Sequence, residues 1–453
     1  MSESPSVYLI THSIQSFEHI SHPIRNCTTK RTMEAPPSIA IIGGGPSGLV
    51  LARLLEVNGI TDYVVFERDQ FSTPGPNRQG GTLDLQKDSG QEALKRAGLF
   101  EKFSNELARW DAAYFHLLES TGKTIANFNH KLGDRPEIDR LQLRDLLLES
   151  IPQHKIRWEH SVKFVERKAG GENTVGDNGC IIHFTNGSSA TGFRLVVGAD
   201  GAWSKVRPLL TSASPEYSGI FFIEAKISHN NPSYPVAHEL VGPGNMLVLG
   251  NQKMMAVQQL SDGHYRVYFA LSVPEDFYKR VTSVDADPSK ATEEMRPHLL
   301  STNEFFADWT PNVKAFVENA EGPFRPWPLY FIDQETVGWD RGVAPGVTLM
   351  GDAAHASTPF VGEGVNCSMH DAVMLAEFLV SHCGSNATFA HVEEVNLEAA
   401  LAAYEKNMFN RGQDLIRRSC ESGRRMFSDN AGPLVLQMFS GYGESETVES
   451  AAL

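Results

Sequence analysis

The sequence predicts an α/β protein built on a parallel sheet, with an antiparallel β-sheet inserted into it and a helix at the C-terminal end, and three observations carry that prediction. Residues 39–67 resolve into strand, glycine turn, helix and second strand. Two further buried-type strands, 193–197 and 347–350, each run straight into a turn with an acid at its tip, Gly198-Ala-Asp200-Gly and Gly351-Asp352-Ala-Ala-His355. Between them, residues 217–273 break into short β-rich runs separated by turn compositions, the texture of an antiparallel sheet.

The first unit is the most informative. Residues 38–42 are apolar and β-branched, as a strand buried on both faces requires. Gly43, Gly45 and Gly48 follow as G-x-G-x-x-G, with Ser47 inside the motif. The first glycine makes the tight turn, the second lets the backbone approach a pyrophosphate, and the third lets helix and strand pack closely. Pro46 suits a helix N1 position, where its missing N–H had no partner. The helix runs to about Asn58, and residues 62–66 return as a strand ending on Glu67. An acid at that distance from the glycines accepts hydrogen bonds from adenosine ribose hydroxyls, so the unit reads as a Rossmann dinucleotide-binding element.

Composition narrows the class. A chain of 453 residues has room for two or three domains. Its net charge of -15 argues against nucleic acid as partner. Cys27, Cys180, Cys367, Cys383 and Cys420 form no CxxC pair and no Cys/His cluster with metal-ligand spacing, so free thiols, no metal and a cytoplasmic setting are expected. No apolar run is long enough to span a bilayer. Residues 1–35 are rich in Ser, Thr and His without periodicity and read as a disordered extension or a misplaced start, with Met33 just ahead of the first strand.

The remaining elements follow in order. The nucleotide domain is expected in three parts, 36–108, 130–211 and 321–390, with a hairpin at 109–129, a substrate domain at 212–320 and a C-terminal helix and tail at 391–453. A helix starts near Ser89 or Gly90 and runs to about Gly98, and Thr121-Gly122 makes the hairpin turn. Asp139 is placed to cap the helix that follows it. Residues 156–168 and 180–185 read as strands, as do 217–227, 236–241, 245–249, 254–260 and 264–272. Residues 286–320 read as helices, 322–328 as a proline-rich return, 365–381 as a helix, and 392–426 as an amphipathic helix whose Arg411, Arg417, Arg418, Arg424 and Arg425 form a solvated face. Residues past about 440 read as a polar tail.

Three glycine-and-acid turns across some three hundred residues are more than a nicotinamide site needs, and one extended cofactor touching all three explains them better. With the motifs in view, the chain resembles the class A flavoprotein aromatic hydroxylases of the p-hydroxybenzoate hydroxylase type, which carry G-x-G-x-x-G, a D-G turn, and G-D-A-x-H with a later proline and G-x-G. Within that family it is most similar to the TetX-type tetracycline-inactivating monooxygenases, through Gly80-Gly-Thr-Leu-Asp-Leu85, Ser89-Gly-Gln-Glu-Ala-Leu94, Pro136-Glu-Ile-x-Arg140, Ser204-Lys-Val-Arg207 and Met350-Gly-Asp-Ala-Ala-His355. The resemblance covers about residues 38–426.

The resemblance implies a glutathione-reductase-like Rossmann FAD domain with an inserted substrate domain. It implies non-covalent FAD, NADPH as electron donor, and a C4a-hydroperoxyflavin that passes one oxygen atom from O2 to an aromatic or polycyclic small molecule. Carried over residue by residue, it assigns Gly43, Gly45, Ser47, Gly48, Glu67, Asp84, Arg140, Asp200, Arg207, Gly351, Asp352, Val365 and Asn366 to the cofactor and Arg78 to NADPH, with Arg144 the alternative to Arg140. Pro359, Gly362 and Gly364 form the flavin environment, where a helix N-terminus near Val365 stabilises the anionic reduced ring. Glu363 departs from the family's Gln and adds a negative charge beside that ring. Phe221, Phe222, His238, Met246, Met254, Gln258, Arg266 and Tyr268 are the substrate candidates, and His355 is read as structural because no G-x-S-x-G elbow or second metal ligand accompanies it. The leading expectation is a monomeric natural-product monooxygenase. An antibiotic-inactivating hydroxylase, a flavin reductase and a non-catalytic FAD-binding protein are the alternatives; a halogenase is disfavoured by the lack of a W-x-W-x-I run.

Overall fold

Five apolar strands build the parallel sheet at the centre of the molecule, in the order Val347–Leu349, Leu195–Gly198, Ile39–Ile42, Tyr63–Phe66, Ile156–Arg157. The computed structural model describes residues 37–70, 80–129, 134–168, 177–283, 288–386 and 388–439. The expected N-terminal extension, Arg78, Cys27 and the polar tail past 440 lie outside the described residues. Ile39, Ala40 and Ile41 are fully buried, which is why these strands carry no polar alternation. The Pro46–Val57 and Gly364–Cys383 helices pack against each other on this sheet. Among the described residues no helix is long and apolar enough to cross a membrane.

Register brings the motif turns level. Ile42 pairs with both Gly198 and Phe66, and Gly198 pairs with Leu349, so four strands end at one height. Backbone bonds carry the ladder one residue further: Gly43 N donates to Phe66 O (2.9 Å), Ala199 N to Ile42 O (2.8 Å) and Met350 N to Gly198 O (2.9 Å). Three turns scattered through the sequence therefore open side by side at the carboxyl edge of one sheet, where open α/β sheets bind ligands.

The second sheet has seven strands, in the order Glu321–Phe331, Glu216–Ile227, Tyr265–Ser272, Lys253–Gln259, Asn245–Gly250, Tyr114–Glu119, Thr124–Asn129. It is antiparallel except where Asn245–Gly250 meets Tyr114–Glu119 in parallel. Alternation gives it two apolar faces. Phe221, Ile223, Met246, Val257 and Phe269 pack under the Pro288–Leu299 and Pro311–Asn319 helices, while Phe222, Leu247, Met254, Tyr268 and Ala270 meet Phe360, Met426, Ala431 and Val435.

Four expectations are corrected. Residues 236–241 are not a strand but part of the Tyr234–Val241 helix: Pro235 opens it, and Ala237 and Val241, four apart, share its buried side. The span 156–168 divides at Glu159, whose φ is 59°, into Ile156–Arg157 and Val162–Arg167, which join different sheets. The proline-rich return at 322–328 is the middle of the Glu321–Phe331 strand; an edge position tolerates the missing amides of its prolines. Asp139 makes no cap bond; its carboxylate accepts from Ser261 Oγ at 2.6 Å instead.

The glycine turn is tight by necessity. A Cβ on Gly48 would lie 2.1 Å from Gly43 O, and one on Gly43, at φ +112°, would lie 2.3 Å from Ala199 O. Gly48→Ala is expected to lower stability by about 1–3 kcal/mol, the usual cost of overpacking against backbone that cannot give. Urea denaturation of the flavin-free protein measures it.

Candidate active site

At one end of the cleft lies Glu67, buried behind the glycine turn. Its Oε2 accepts from Gly44 N at 2.6 Å and its Oε1 from Asp69 N at 3.1 Å, which fixes the carboxylate against the glycine turn. Arg144 lies beside it, bound to Asp69 (3.1 Å) and stacked over Trp158. Arg140 opens the Arg140–Glu149 helix one turn earlier, its amide donates to Gly81 O at 3.1 Å, and its charge is felt at Asp352 and Tyr268. Arg140, rather than Arg144, therefore faces the middle of the cleft.

Asp200 Oδ2 accepts from Lys205 N at 2.6 Å, whereas its buried Oδ1 has no hydrogen-bond partner among the described residues. Burial raises the Asp200 pKa, against the pull of Ser204 and the Lys205 amide. Arg207, itself buried, donates both terminal nitrogens to Ala202 O and interacts electrostatically with Asp200 and Asp352. Asp352 begins the short Asp352–His355 helix behind Gly351, which turns at φ +58°. Its side chain opens to solvent, yet enough protein surrounds it that desolvation raises its pKa, opposed by His355, Arg140 and Arg207. Ser47 closes the circle: its Oγ would lie 3.3 Å from a Cβ on Gly351.

Behind this turn sits a buried ion cluster. Asp371 accepts from Gly351 N (2.7 Å), His355 Nε2 (2.7 Å) and Arg411 Nη2 (2.6 Å), and is fully buried with His355. Burial alone would raise the Asp371 pKa; His355 and Arg411 hold it below the usual carboxylate value. Burial disfavours the His355 cation, but Asp371 and then Cys367 hold its pKa well above that of free histidine. His355, Cys367 and Asp371 bring ligand-type atoms within 4.8 Å of one another. Both Asp371 oxygens already serve the backbone turn and two cations, so the group acts as an ion-pair hub and His355 as a structural residue.

The opposite end of the cleft is the turn 359–366. Gly362 N donates to Pro359 O, and Gly362 has φ +68°. The Gly364–Cys383 helix starts one residue before Val365, and its first backbone bond runs from Cys367 N to Glu363 O (2.9 Å). Among the described residues the amides of Gly364, Val365 and Asn366, which precede that bond, have no partner and can face an acceptor. The Asn366 side chain is not: Oδ1 accepts from Gln86 N (2.8 Å) and Gly90 N (3.2 Å), and Nδ2 donates to Asp84 O (2.9 Å). Its expected cofactor role is thus confined to its backbone, and its side chain braces segment 84–90. Asp84 Oδ1 stands beside Gly362, 3.5 Å from where a Cβ would be. Burial first, then Glu137 and Glu363, push the Asp84 carboxyl up to about 7, with Arg135 opposing. Glu363 turns away from the helix start; Arg418 holds both its oxygens, at 2.9 and 2.6 Å. Arg418 and Arg411 point inward and do not belong to a solvated arginine face.

The substrate candidates separate by sheet face. Phe222 lies 5.8 Å from Tyr268 and 6.2 Å from Phe360, ring to ring, and so joins the cleft face to the residue after Pro359. Gln258 and Met254 share that face by alternation. Tyr268, its pKa pushed up to about 12 by burial and Glu224, is a neutral phenol. A Cβ on Gly81 would lie 2.8 Å from Tyr268 Oη and 3.4 Å from Gln258 Oε1, and one on Gly80 would lie 2.2 Å from Arg266 Nη2. The two glycines of the GGTLDL segment exist to let the second sheet dock there. Arg266, paired with buried Glu224, belongs to that docking. Phe221 and Met246 point into the opposite core, and His238 is exposed on the Tyr234–Val241 helix, so these three candidates lie outside the cleft. Phe360 and Trp327, whose buried Nε1 has no partner among the described residues, line the cleft side and had no motif to announce them.

Residues 37–242 and 333–410 match the family model of an FAD binding domain. The monooxygenase asqM of Emericella nidulans is 31% identical over 447 residues, covering 87% of this chain and 97% of that protein. The chain belongs to the FAD-dependent monooxygenase family. Monooxygenase penA of Penicillium thymicola is 30% identical over 86% of this chain and 96% of its own length. Among solved structures, HpxO of Klebsiella pneumoniae complexed with FAD and uric acid superposes with a TM-score of 0.66 at 21% identity, over 89% of this chain and 92% of that one. The tetracycline destructase Tet(55) gives 0.63 at 18% identity, over 90% and 95%. At these identities the likeness is one of fold.

The residues present fit FAD. Asp200 Oδ1 and the amides at 364–366 are unspent polar groups along the same cleft, and a Cβ on Gly45 would meet nothing within 4 Å, which leaves room for a close-lying ligand. Gly45 and Gly48 therefore have separable roles. Gly45→Val is expected to leave urea denaturation of the flavin-free protein within about 0.5 kcal/mol of wild type, while FAD retention on gel filtration is lost. Asp84 gives a pH signature. Its folded pKa lies above the unfolded value of about 4, so it costs stability as pH rises through that window. Flavin-free Asp84→Asn is expected to exceed wild type in stability at pH 8 by on the order of 1–2 kcal/mol, with no difference at pH 4.

Proposed function

We propose that this FAD-dependent monooxygenase consumes NADPH and inserts one oxygen atom from O2 into an aromatic or polycyclic, phenol-bearing intermediate of secondary metabolism. The observation that supports the reading is the continuity of the apolar, aromatic face formed by Phe222, Tyr268 and Phe360 with the Pro359 turn, where the flavin ring would lie. Relatives named as monooxygenases of small aromatic acids support the substrate class, among them a 3-amino-4-hydroxybenzoate 2-monooxygenase of Streptomyces platensis, 28% identical over 85% of this chain.

When bound, FAD would supply the redox chemistry, taking two electrons from the nicotinamide and activating O2. The chain supplies position and charge. Glu67 would hold the adenosine ribose, Arg140 and Arg207 would neutralise the pyrophosphate, and Asp200 and Asp352 would accept from hydroxyls of the linking chain. The amides at 364–366 would stabilise negative charge on the reduced ring. No side-chain nucleophile is needed. The Tyr268 phenol and the Gln258 amide would orient the substrate's polar edge while Phe222 and Phe360 would pack its rings.

Stopped-flow flavin reduction by NADPH across a panel of aromatic natural products tests this. True substrates are expected to accelerate reduction and to couple NADPH oxidation to O2 uptake. A flavin-loaded protein whose NADPH oxidation takes up no O2 overturns the reading. Gln258→Ala is expected to raise KM about fivefold to tenfold, the loss of one hydrogen bond of about 1 kcal/mol, with flavin content unchanged.

A further inference from the structure

Glu363 stands at the N-cap of the Gly364–Cys383 helix, yet its carboxylate makes no cap bond. A carboxylate at this position ordinarily accepts from the amides of the first helical turn. Here both oxygens are turned to Arg418, on the Glu394–Met426 helix, through a two-pronged ion pair of 2.9 and 2.6 Å. The third edge of the guanidinium is occupied as well, with Nε donating to Asp414 at 2.7 Å, one turn back along the same helix. Arg418 is therefore fixed from two sides, and a planar fork fixed in this way dictates where the carboxylate can point.

The position matters because the amides of Gly364, Val365 and Asn366 are the groups left to stabilise an anion at the ring end of the cleft. Asp84 already brings one carboxyl group to Gly362, and Glu363 adds to the pressure that raises its pKa. A freed Glu363 would set its negative charge beside the reduced ring, a penalty felt by the anionic cofactor and not by the neutral oxidised one.

On the reading that the flavin ring lies at this turn, we propose that Arg418 is a positioning residue for FAD reduction: by clamping Glu363 it keeps the helix N-terminus open to the cofactor and keeps the carboxylate's charge off the reduced ring. The proposal predicts an oxidised-state affinity for FAD that barely depends on Arg418 and a reduction potential that does.

The test is spectroelectrochemical titration of the FAD-loaded protein and three variants. Arg418→Gln is expected to shift the oxidised-to-reduced equilibrium about tenfold toward the oxidised form, a fall of about 30 mV for this two-electron couple. Glu363→Gln/Arg418→Gln is expected to restore the wild-type potential, because no carboxylate remains to misplace. Arg418→Lys, which keeps the charge but not the fork, is expected to fall between, and it serves in place of Arg418→Gln should that variant fail to fold. The Kd for oxidised FAD is expected to change less than about threefold throughout, as a role felt only in the reduced state requires. Equal potentials in wild type and the single variants overturn the inference. So does a double variant that keeps the lowered potential, since Arg418 would then act through its own charge. Wild-type protein that takes up no FAD overturns the functional reading and this inference with it, whereas loaded protein with equal potentials overturns the inference alone.

Discussion

Asp371 is the point on which the third motif turn and the helices behind it depend. One fully buried carboxylate on the Gly364–Cys383 helix collects the amide of Gly351, the imidazole of His355 and the guanidinium of Arg411. A buried charge is tolerated only when it is paired and hydrogen-bonded, and removing one partner of such a group is far more costly than never having made it. The cluster thus ties the third motif turn, the Gly364–Cys383 helix and the Glu394–Met426 helix into one unit. Asp352 is held out toward the cleft because the backbone immediately before it is anchored from within.

The same economy of attachment recurs across the cleft. Asn366 spends its side chain on the backbone of residues 84–90, so the start of the Gly364–Cys383 helix also fixes the segment that carries Asp84. Gly80 and Gly81 lack side chains where Arg266, Tyr268 and Gln258 arrive from the second sheet. The two halves of the active site are thereby held in register by contacts that involve no reacting atom. An oxygen-transferring enzyme needs that rigidity, because the distance between flavin and substrate decides whether the oxygen reaches carbon or is lost to water.

Much of this was legible in the chain itself. The three turns were readable because strands buried on both faces must be continuously apolar, and because glycine and an acid at such a strand's end have few other uses. The hairpin at Thr121-Gly122 and the Pro288–Leu299 and Pro311–Asn319 helices followed from turn chemistry and periodicity. The misreadings have equally definite causes. Tyr-Pro-Val-Ala-His-Glu-Leu-Val carries enough β-branched residues to pass for a strand, and only its packing against the sheet decides for helix. A run broken by three prolines reads as a loop until it is seen to occupy an edge, where the missing amides go unused. Phe221 and Met246 point into the opposite core because alternation reveals that a strand has two faces without revealing which one meets the cleft, and His238 lies on the helix that was read as a strand.

By itself the sequence determined the nucleotide fold, the cofactor class and the order of the turns that hold it, since these rest on local backbone requirements that only particular residues meet. Tertiary structure alone decided which charges meet. Arg418 and Glu363 lie fifty-five positions apart, as Arg411 and Asp371 lie forty, and nothing in either neighbourhood predicts the pairing. Where the Glu363 carboxylate points depends on a side chain delivered by a different helix. Electrostatic energy depends on distance and on burial, and both are properties of the folded chain.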